Sequence, residues 1–340
     1  MILIFNMEDR KILKDISFVT TVYNEEKSIS AFLGSLLEQE CLPGEIILID
    51  GGSSDNTLSI VRGFFKNNID SSSKKINIKI IERQGANISK GRNIAIKNAN
   101  SNIICVSDAG CILDRNWIGE ITRYYDDKSC HMVGGFNSPL AGSFLEKCLA
   151  VCIMPGRKEI KSKKYMPSSR NLSFRKSLWK DAGGYPEFMD YGEDMRFNFN
   201  VRARGYDVKF NPDAVVYWKM RDSMVDIFKQ FFRYAKGDAV GKMYLYRHLI
   251  RFFSFAFFIA VIVMSVFINL WILMIIAPLF VIYIYKPYSR VNYTWNNTEK
   301  TKSSTAGKFF AVLFIPLLQL YIDFAKLFGY IYGLARRSII

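Results

Sequence analysis

Two aspartates stand where an α/β protein places its chemistry. Asp50 closes the apolar run Ile47-Leu48-Ile49 and opens Gly51-Gly52-Ser53-Ser54-Asp55, and Asp108 follows Cys105-Val106-Ser107 and precedes Ala109-Gly110. Each comes off a strand-like run, and ligands in open α/β sheets bind beyond the carboxyl ends of strands. Either aspartate alone could close a turn with the glycines after it. Two of them in one half of the chain favour the ligand-binding reading. Other chemistries are excluded by residue type and spacing. No G-x-G-x-x-G follows a strand and no G-x-x-x-x-G-K-S/T occurs, which removes the dinucleotide turn and the P-loop. Cys41, Cys105, Cys111, Cys130, Cys148 and Cys152 contain no C-x-x-C pair, and with two distant histidines they cannot form a Cys/His zinc cage. Reduced, cytosol-facing thiols are the expected state.

The surrounding elements must carry these residues. Ile16–Val22 is a strand, followed by the one-faced helical repeat Ile29, Phe32, Leu33, Leu36, Leu37. Glu45–Ile49 is the next strand, Asp55-Asn56-Thr57 starts a helix with Leu58, Val61 and Phe65 inward, and Ile76–Ile81 is a strand again. A helix at about 89–99 precedes the strand Ile103–Val106, and Asp114 is expected to cap a helix bearing Trp117, Ile118, Ile121, Tyr124 and Tyr125. Such alternation predicts a mostly parallel sheet with helices on both faces.

Several motifs then occur in a characteristic order: Thr20-Thr-Val-Tyr-Asn-Glu-Glu26, Ile49-Asp-Gly-Gly-Ser-Ser-Asp-Asn-Thr57, Lys90-Gly-Arg-Asn-Ile-Ala95, Ser107-Asp-Ala-Gly110, Gly192-Glu-Asp194 and Gln230-Phe-Phe-Arg-Tyr234. Over residues 16 to 240 this set resembles the inverting family 2 glycosyltransferases, whose catalytic domain has the Rossmann-like GT-A fold. The resemblance implies that Thr21, Tyr23 and Glu25 hold the base and ribose of a nucleotide-sugar and that Asp50 accepts a hydrogen bond from the base. Arg92 would be a cation near the donor, or else a solvated residue at a helix start. Asp108 corresponds to the first carboxylate of the family's D-x-D metal motif, but the third position is Gly110. Mg²⁺ or Mn²⁺ can still be held by one carboxylate when phosphates and waters complete the shell. Asp194 matches the catalytic base, supported by Glu193; both would also suit the positive end of the helix they begin. Gln230, Arg233 and Tyr234 resemble the Q-x-x-R-W signature of processive members, with Tyr for Trp. They are expected at the diphosphate or acceptor, as are Arg170 and Asn171 of Pro167-Ser-Ser-Arg-Asn171, although Arg and Tyr suit an interfacial helix equally well.

The remainder of the chain reads as a membrane part. The composition, 50% hydrophobic and 15% aromatic, is too apolar for disorder. Phe252–Tyr285 runs 34 residues without a charge. As one helix it would be ~51 Å long against a hydrocarbon core of ~30 Å, so a hairpin turning near Asn269 is expected. A second apolar stretch, Phe309–Leu334, carries Pro316, Asp323 and Lys326 and ends at Arg336-Arg337. Cations at Lys286, Arg290, Lys300, Lys302 and Lys308 place the intervening loop in the cytoplasm, and the last stretch is expected at the interface or re-entrant.

The domains expected are therefore 1–218, catalytic; 219–250, basic-aromatic interfacial helices; and 251–340, membrane region. The net charge of +15 is concentrated partly between Lys219 and Arg251, where eight basic and three acidic residues interleave with aromatics. Beside apolar spans that pattern suits anionic lipid, and no nucleic-acid motif accompanies it. The short apolar start Met1–Phe5, followed by Glu8 and Asp9, is not expected to export the chain. The function expected is transfer from a UDP- or GDP-sugar to a lipid-linked, polyprenyl-type or other membrane-proximal acceptor, in an integral membrane protein with a cytoplasmic catalytic domain. A noncatalytic nucleotide-binding scaffold and a nucleotide-sugar hydrolase are the rivals.

Overall fold

The computed structural model describes residues 10–68, 76–298 and 305–337. Met1–Phe5, Glu8, Asp9, Lys300 and Lys302, which entered the export and topology expectations, lie outside them. The chain forms two compact units, Met1–Ser138 with Arg157–Lys219, and Pro139–Gly156 with Met220–Ile340.

The first unit begins with strands and helices in strict alternation: β1 (Lys11–Val22), α1 (Ile29–Leu37), β2 (Cys41–Asp50), α2 (Thr57–Asn68), β3 (Asn77–Glu82), α3 (Ile88–Asn98) and β4 (Ile103–Val106). A helix separates each strand from the next, which is the connection a parallel pair requires. β1 accordingly pairs parallel with β2 and β4, and β2 with β3. The pattern changes after β4. β5 (Cys111–Leu113), α4 (Trp117–Thr122), β6 (Met132–Leu140), α5 (Phe144–Ile153), β7 (Leu172–Arg175), α6 (Lys176–Asp181), α7 (Glu193–Ala203) and β8 (Lys209–Lys219) follow. β7 pairs antiparallel with β4 and β6, and β5 antiparallel with β8. The full order is β3-β2-β1-β4-β7-β6-β8-β5, so the sheet is parallel from β3 to β4 and gains antiparallel pairs beyond it.

Burial explains why these runs become strands. Along β1 and β2, Phe18, Ile46 and Leu48 pack under one face with Phe32, Leu33, Leu36 and Trp117, while Val19, Ile47 and Ile49 pack under the other with Ile96, Phe174 and Phe197. The central strands are covered on both sides, as parallel strands usually are. Each such side chain contributes roughly 1.5–3 kcal/mol by leaving water. α4 differs from the expectation. It ends at Thr122, short of Tyr124 and Tyr125, and Asn116 flanks it without a side-chain cap bond. The Asp114 carboxylate instead accepts from the Asn116 N–H at 3.2 Å and the Tyr217 hydroxyl at 3.1 Å, fixing the turn ahead of the helix. Burial pushes the Cys105 and Cys111 thiols up, so both stay protonated and act as packing residues.

The second unit contains α5, opened by a Ser143/Glu146 capping box, together with α8 (Met224–Val240), α9 (Leu245–Phe267), α10 (Ile276–Thr298) and α11 (Thr305–Arg337). A 3-10 turn over Leu270–Ile275, started by the Asn269 side chain accepting from Trp271 N at 2.9 Å, joins α9 to α10. Lys286 and Arg290 lie within α10 rather than in a loop. α8 and α11 run side by side in one direction: the Tyr321 hydroxyl donates to Met224 O, and a Cβ at Gly329 would lie 2.1 Å from Phe232 O. Among the described residues three segments are long and apolar enough to cross a membrane, Leu245–Phe267, Leu270–Asn296 and Gly307–Arg336. The first two have 11% of their most apolar stretch buried against protein and the third 39%. Asp323 of α11 accepts from Arg251 Nε at 2.9 Å and from the Tyr283 hydroxyl at 2.8 Å, tying α9, α10 and α11 with a satisfied polar bond set.

Candidate active site

The strand order places β2 on one side of β1 and β4 on the other, so the chain reverses direction across the sheet between β1 and β4. A crevice opens at the carboxyl ends of strands at such a reversal. Here it is a cleft of about 210 Å³ lined by Thr21 at the end of β1 and Tyr23 and Glu25 after it, Ile49 and Gly51 at the end of β2, Asp108 and Gly110 after β4, and Asn87, Ile88 and Gly91 at the start of α3. The Asn87 side chain accepts from Lys90 N at 2.9 Å and so starts α3, whose positive end opens on the cleft. Gly91 lets α3 approach β1; a Cβ there would lie 2.8 Å from Thr21 Cγ2. The contribution of Asn87, Ile88 and Gly91 was not read from the sequence, although an Asn three residues before the Lys90-Gly91-Arg92 run is a recognisable cap.

Asp108 is partly exposed at the cleft and meets two guanidinium groups. Its Oδ1 is 2.6 Å from Arg92 Nη2 and its Oδ2 3.8 Å from Arg170 Nε. The second contact follows from the antiparallel register. Leu172 of β7 lies opposite Val106 of β4, so Arg170 and Asp108, each two residues beyond the pair, come together. The Arg170 guanidinium also lies 4.0 Å from the centroid of the Trp218 ring.

Arg92 is 2% exposed, which rules out the solvated helix-start alternative. Its Nη1 is 2.5 Å from Glu193 Oε1, so one buried guanidinium bridges Glu193 and Asp108. Burial opposes the Arg92 charge, but Asp108 and then Glu193 outweigh it and raise its pKa. Burial pushes the Glu193 carboxyl up to about 7, with Arg92 pulling it down and Asp194 pushing it up again. Arg92 is divided between Glu193 and Asp108, and Asp194 adds a second negative charge beside Glu193, so with burial an elevated Glu193 is the physically expected direction. Asp194 stands in the first turn of α7, entered through Gly192 at φ +74°, a backbone shape that favours glycine. Its carboxylate accepts from Met195 N at 2.8 Å and from Ser169 N at 3.4 Å. The helix-end stabilisation anticipated for Glu193 and Asp194 and a catalytic placement are thus compatible.

The other expected residues divide clearly. Thr21, Tyr23, Glu25 and Asp108 line the cleft. Asp50 is 2% exposed and makes the turn: Oδ2 accepts from Gly52 N and Ser53 N, each at 3.0 Å, and Oδ1 from Ser53 Oγ at 2.5 Å. Oδ1 keeps a lone pair, so ligand binding would add to the turn role rather than replace it. Asn171 is a correction. It is fully buried, accepting from Trp117 Nε1 at 2.8 Å and donating to Phe136 O and Ala214 O at 3.0 Å each. Its amide is consumed in joining α4, β6 and β8, leaving no contact for a diphosphate or acceptor. Gln230, Arg233 and Tyr234 lie on α8 in the second unit; Gln230 is buried and donates to the Tyr234 hydroxyl at 3.1 Å. Among the described residues no cluster of three His, Cys, Asp or Glu could hold a metal.

Comparison with known proteins agrees with this geometry. The Glycosyl transferase family 2 profile matches residues 17–141 and the Glycosyl transferase family group 2 profile residues 136–318. Glycosyltransferase AglE of Haloferax volcanii is 26% identical over 254 residues, covering 72% of this chain and 80% of that protein. The poly-beta-1,6-N-acetyl-D-glucosamine synthase of Staphylococcus epidermidis is 25% identical over 244 residues, 66% of this chain but 55% of the synthase, so the chain spans about half the length of that relative. Among solved structures, the mannosyltransferase PcManGT of Pyrobaculum calidifontis, in complex with GDP-Man and Mn²⁺, aligns over 96% of this chain and 87% of its own with a TM-score of 0.55 at 15% identity, a likeness of fold. The second profile alone spans more than half of the chain, and with the first it covers both the cleft and the helices beyond it: the chain belongs to glycosyltransferase family 2 and is a glycosyltransferase with a Rossmann-like GT-A domain.

Proposed function

We propose that this glycosyltransferase is a membrane-bound, inverting enzyme that takes a sugar from a UDP- or GDP-sugar and places it on a lipid-linked or other membrane-proximal acceptor at the cytoplasmic face. The observation that carries the reading is the single Arg92 guanidinium touching both Asp108, at the donor cleft, and Glu193, the neighbour of Asp194. It brings a diphosphate-facing carboxylate and a base within one side chain's reach.

In this reading the nucleoside enters between Thr21, Tyr23 and Glu25, and the positive end of α3 favours the diphosphate. Asp194 accepts the proton of an acceptor hydroxyl as that oxygen attacks the anomeric carbon from the side opposite the diphosphate, a contribution of typically ~10²–10⁴-fold. Arg170, cationic beside Asp108, stabilises charge that accumulates on the departing diphosphate. Asp108 lines the cleft and Gly110 offers no carboxylate, and both Asp108 oxygens already face guanidinium groups, so a divalent cation would share this one carboxylate with Arg92 and Arg170 and take the rest of its shell from phosphate and water. Mg²⁺ or Mn²⁺ held there would neutralise the leaving group. Gln230, Arg233 and Tyr234 remain the residues assigned to the diphosphate or acceptor. The apolar surfaces of α9 and α10, and the basic residues Lys229, Arg233 and Lys236 along α8, support contact with an anionic bilayer.

The test is transfer of label from a panel of radiolabelled UDP- and GDP-sugars in membranes carrying the wild-type protein or Asp194→Asn, with and without EDTA. Label in the lipid-extractable fraction, lost in the variant, is expected for a hydroxyl acceptor; loss with EDTA is expected for a required metal. An already ionised phosphate acceptor would leave the variant active, and nucleotide binding with no product from any donor would overturn the reading.

A further inference from the structure

We propose that Arg92 is a positioning residue of the transfer: it sets the start of α7, and with it Asp194, against the donor-side carboxylate Asp108. The inference rests on the reading of Asp194 as the base and extends it to a residue that holds the base in place. Both terminal nitrogens of Arg92 are taken by carboxylates of this chain, at 2.5 Å and 2.6 Å. A buried guanidinium engaged in this way is placed to orient protein groups rather than to grip the donor. The contacts close a circuit. Arg92 lies 5.3 Å from the centroid of the Tyr185 ring, the Tyr185 hydroxyl is 2.8 Å from Ser169 Oγ, and Ser169 N donates to Asp194 Oδ2 at 3.4 Å. Arg92 thereby reaches Asp194 by two routes, through the adjoining Glu193 and through Tyr185 and Ser169.

The neighbouring Asn93 secures the same segment. It donates to Tyr185 O at 2.8 Å and Glu187 Oε1 at 2.9 Å, and accepts from Tyr185 N at 2.9 Å and Trp179 Nε1 at 3.1 Å. Its amide is saturated. At the start of α3, Asn87 Nδ2 donates to Glu187 O at 2.8 Å and Ser89 Oγ to Met189 O at 3.1 Å. The helix whose first turn lines the donor cleft therefore also carries the segment that leads into the base. Stability alone does not favour such an arrangement, because two carboxylates share one buried guanidinium and a third, Asp194, stands beside them. The planar fork matters, since lysine is a point charge and cannot hold two carboxylates in fixed relative geometry.

The test compares Arg92→Lys, Tyr185→Phe, Glu193→Gln, Asp194→Asn and the double variant Arg92→Lys/Glu193→Gln in the full-length protein, using the active donor from the panel above. The readouts are kcat, donor KM, calorimetric affinity for UDP and GDP, and melting temperature. Arg92→Lys is expected to lower kcat by about 10²-fold, the cost of a small misplacement of a catalytic group. Donor KM and nucleotide affinity should stay within about threefold, because the loss falls on the transition state. Tyr185→Phe should lower kcat in the same sense but less. The double variant should be no worse than the more damaging single change, since both break one circuit. A folded Arg92→Lys protein with wild-type kcat, or one whose nucleotide affinity falls in step with kcat, overturns the inference. If Arg92→Lys does not fold, an unchanged kcat in Tyr185→Phe overturns it. An inactive Asp194→Asn beside a fully active Arg92→Lys would sink this inference alone, whereas full turnover in Asp194→Asn would sink the base assignment itself.

Discussion

At the scale of single residues, the site is a problem of charge in a buried place. Unfolded, Glu193 titrates near its ordinary value of 4.5, and folded it is raised to about 7. Between those values the native protein holds a proton that the unfolded chain has released, so stability is expected to fall as pH rises through this window and to level off above it. The slope is limited to about 1.4 kcal/mol per pH unit. Melting curves in detergent at pH 5, 6, 7 and 8 should show the decline, and Glu193→Gln, which removes the titration, should flatten it; an equal decline in the variant would assign it to another group. Asp50 poses a different question. An asparagine amide keeps one acceptor oxygen for the Gly52 and Ser53 N–H groups but loses the charge and the acceptance from Ser53 Oγ, so Asp50→Asn is expected to lower the melting temperature modestly as well as to weaken nucleotide binding by about 1–3 kcal/mol. Calorimetry with UDP and GDP beside a melting curve separates the two effects, and unaltered affinity would confine Asp50 to its turn.

At the scale of elements, close approach of backbones decides more than side-chain chemistry does. α11 carries Gly329-Tyr-Ile-Tyr-Gly333 against α8, and a Cβ at Gly333 would meet Lys236 O at 2.7 Å. The obstacle is main chain at Gly329, and main chain together with the Ala239 Cβ at Gly333, none of which can rotate aside. Gly329→Ala is expected to force α8 from α11 at a cost of about 1–3 kcal/mol or more, seen as a lower melting temperature of the detergent-solubilised protein. An unchanged melting temperature would mean that the two helices already stand further apart. The alternating first half was legible because each parallel pair needs a helix between its strands. β7 joins beside β4 only after a long excursion, and no local pattern shows which edge such a strand takes.

At the scale of the whole molecule, the packing of α11 bears on how many segments cross the membrane. Length and composition qualify three, yet α11 from Tyr321 to Gly333 packs along α8, which carries Asp226, Lys229, Arg233, Lys236 and Asp238. Each such charge at mid-bilayer would cost roughly 2.5–3.5 kcal/mol. The pairing therefore favours an interfacial α11 beneath a single α9–α10 hairpin. An Arg337→Cys protein in right-side-out vesicles is expected to resist a membrane-impermeant maleimide until the cytoplasmic side is opened. Labelling from outside would make α11 a third span.

The sequence by itself determined the α/β alternation, the two strand-end aspartates, the ordered motifs and the apolar stretches. These rest on local periodicity and on residue type at fixed spacing, which short windows of chain contain. Only the tertiary structure decided what depends on distant residues meeting. It withdrew Asn171 from the site by placing it among α4, β6 and β8, and it gave Asp50 a turn to hold. It also drew Arg92 out of solvent, 101 residues from Glu193 in the chain, to bridge that residue and Asp108. The reason is that burial and ion pairing are set by the register of β4 with β7 and by the seating of α3 against the segment before α7, neither of which is written in the spacing of any one motif.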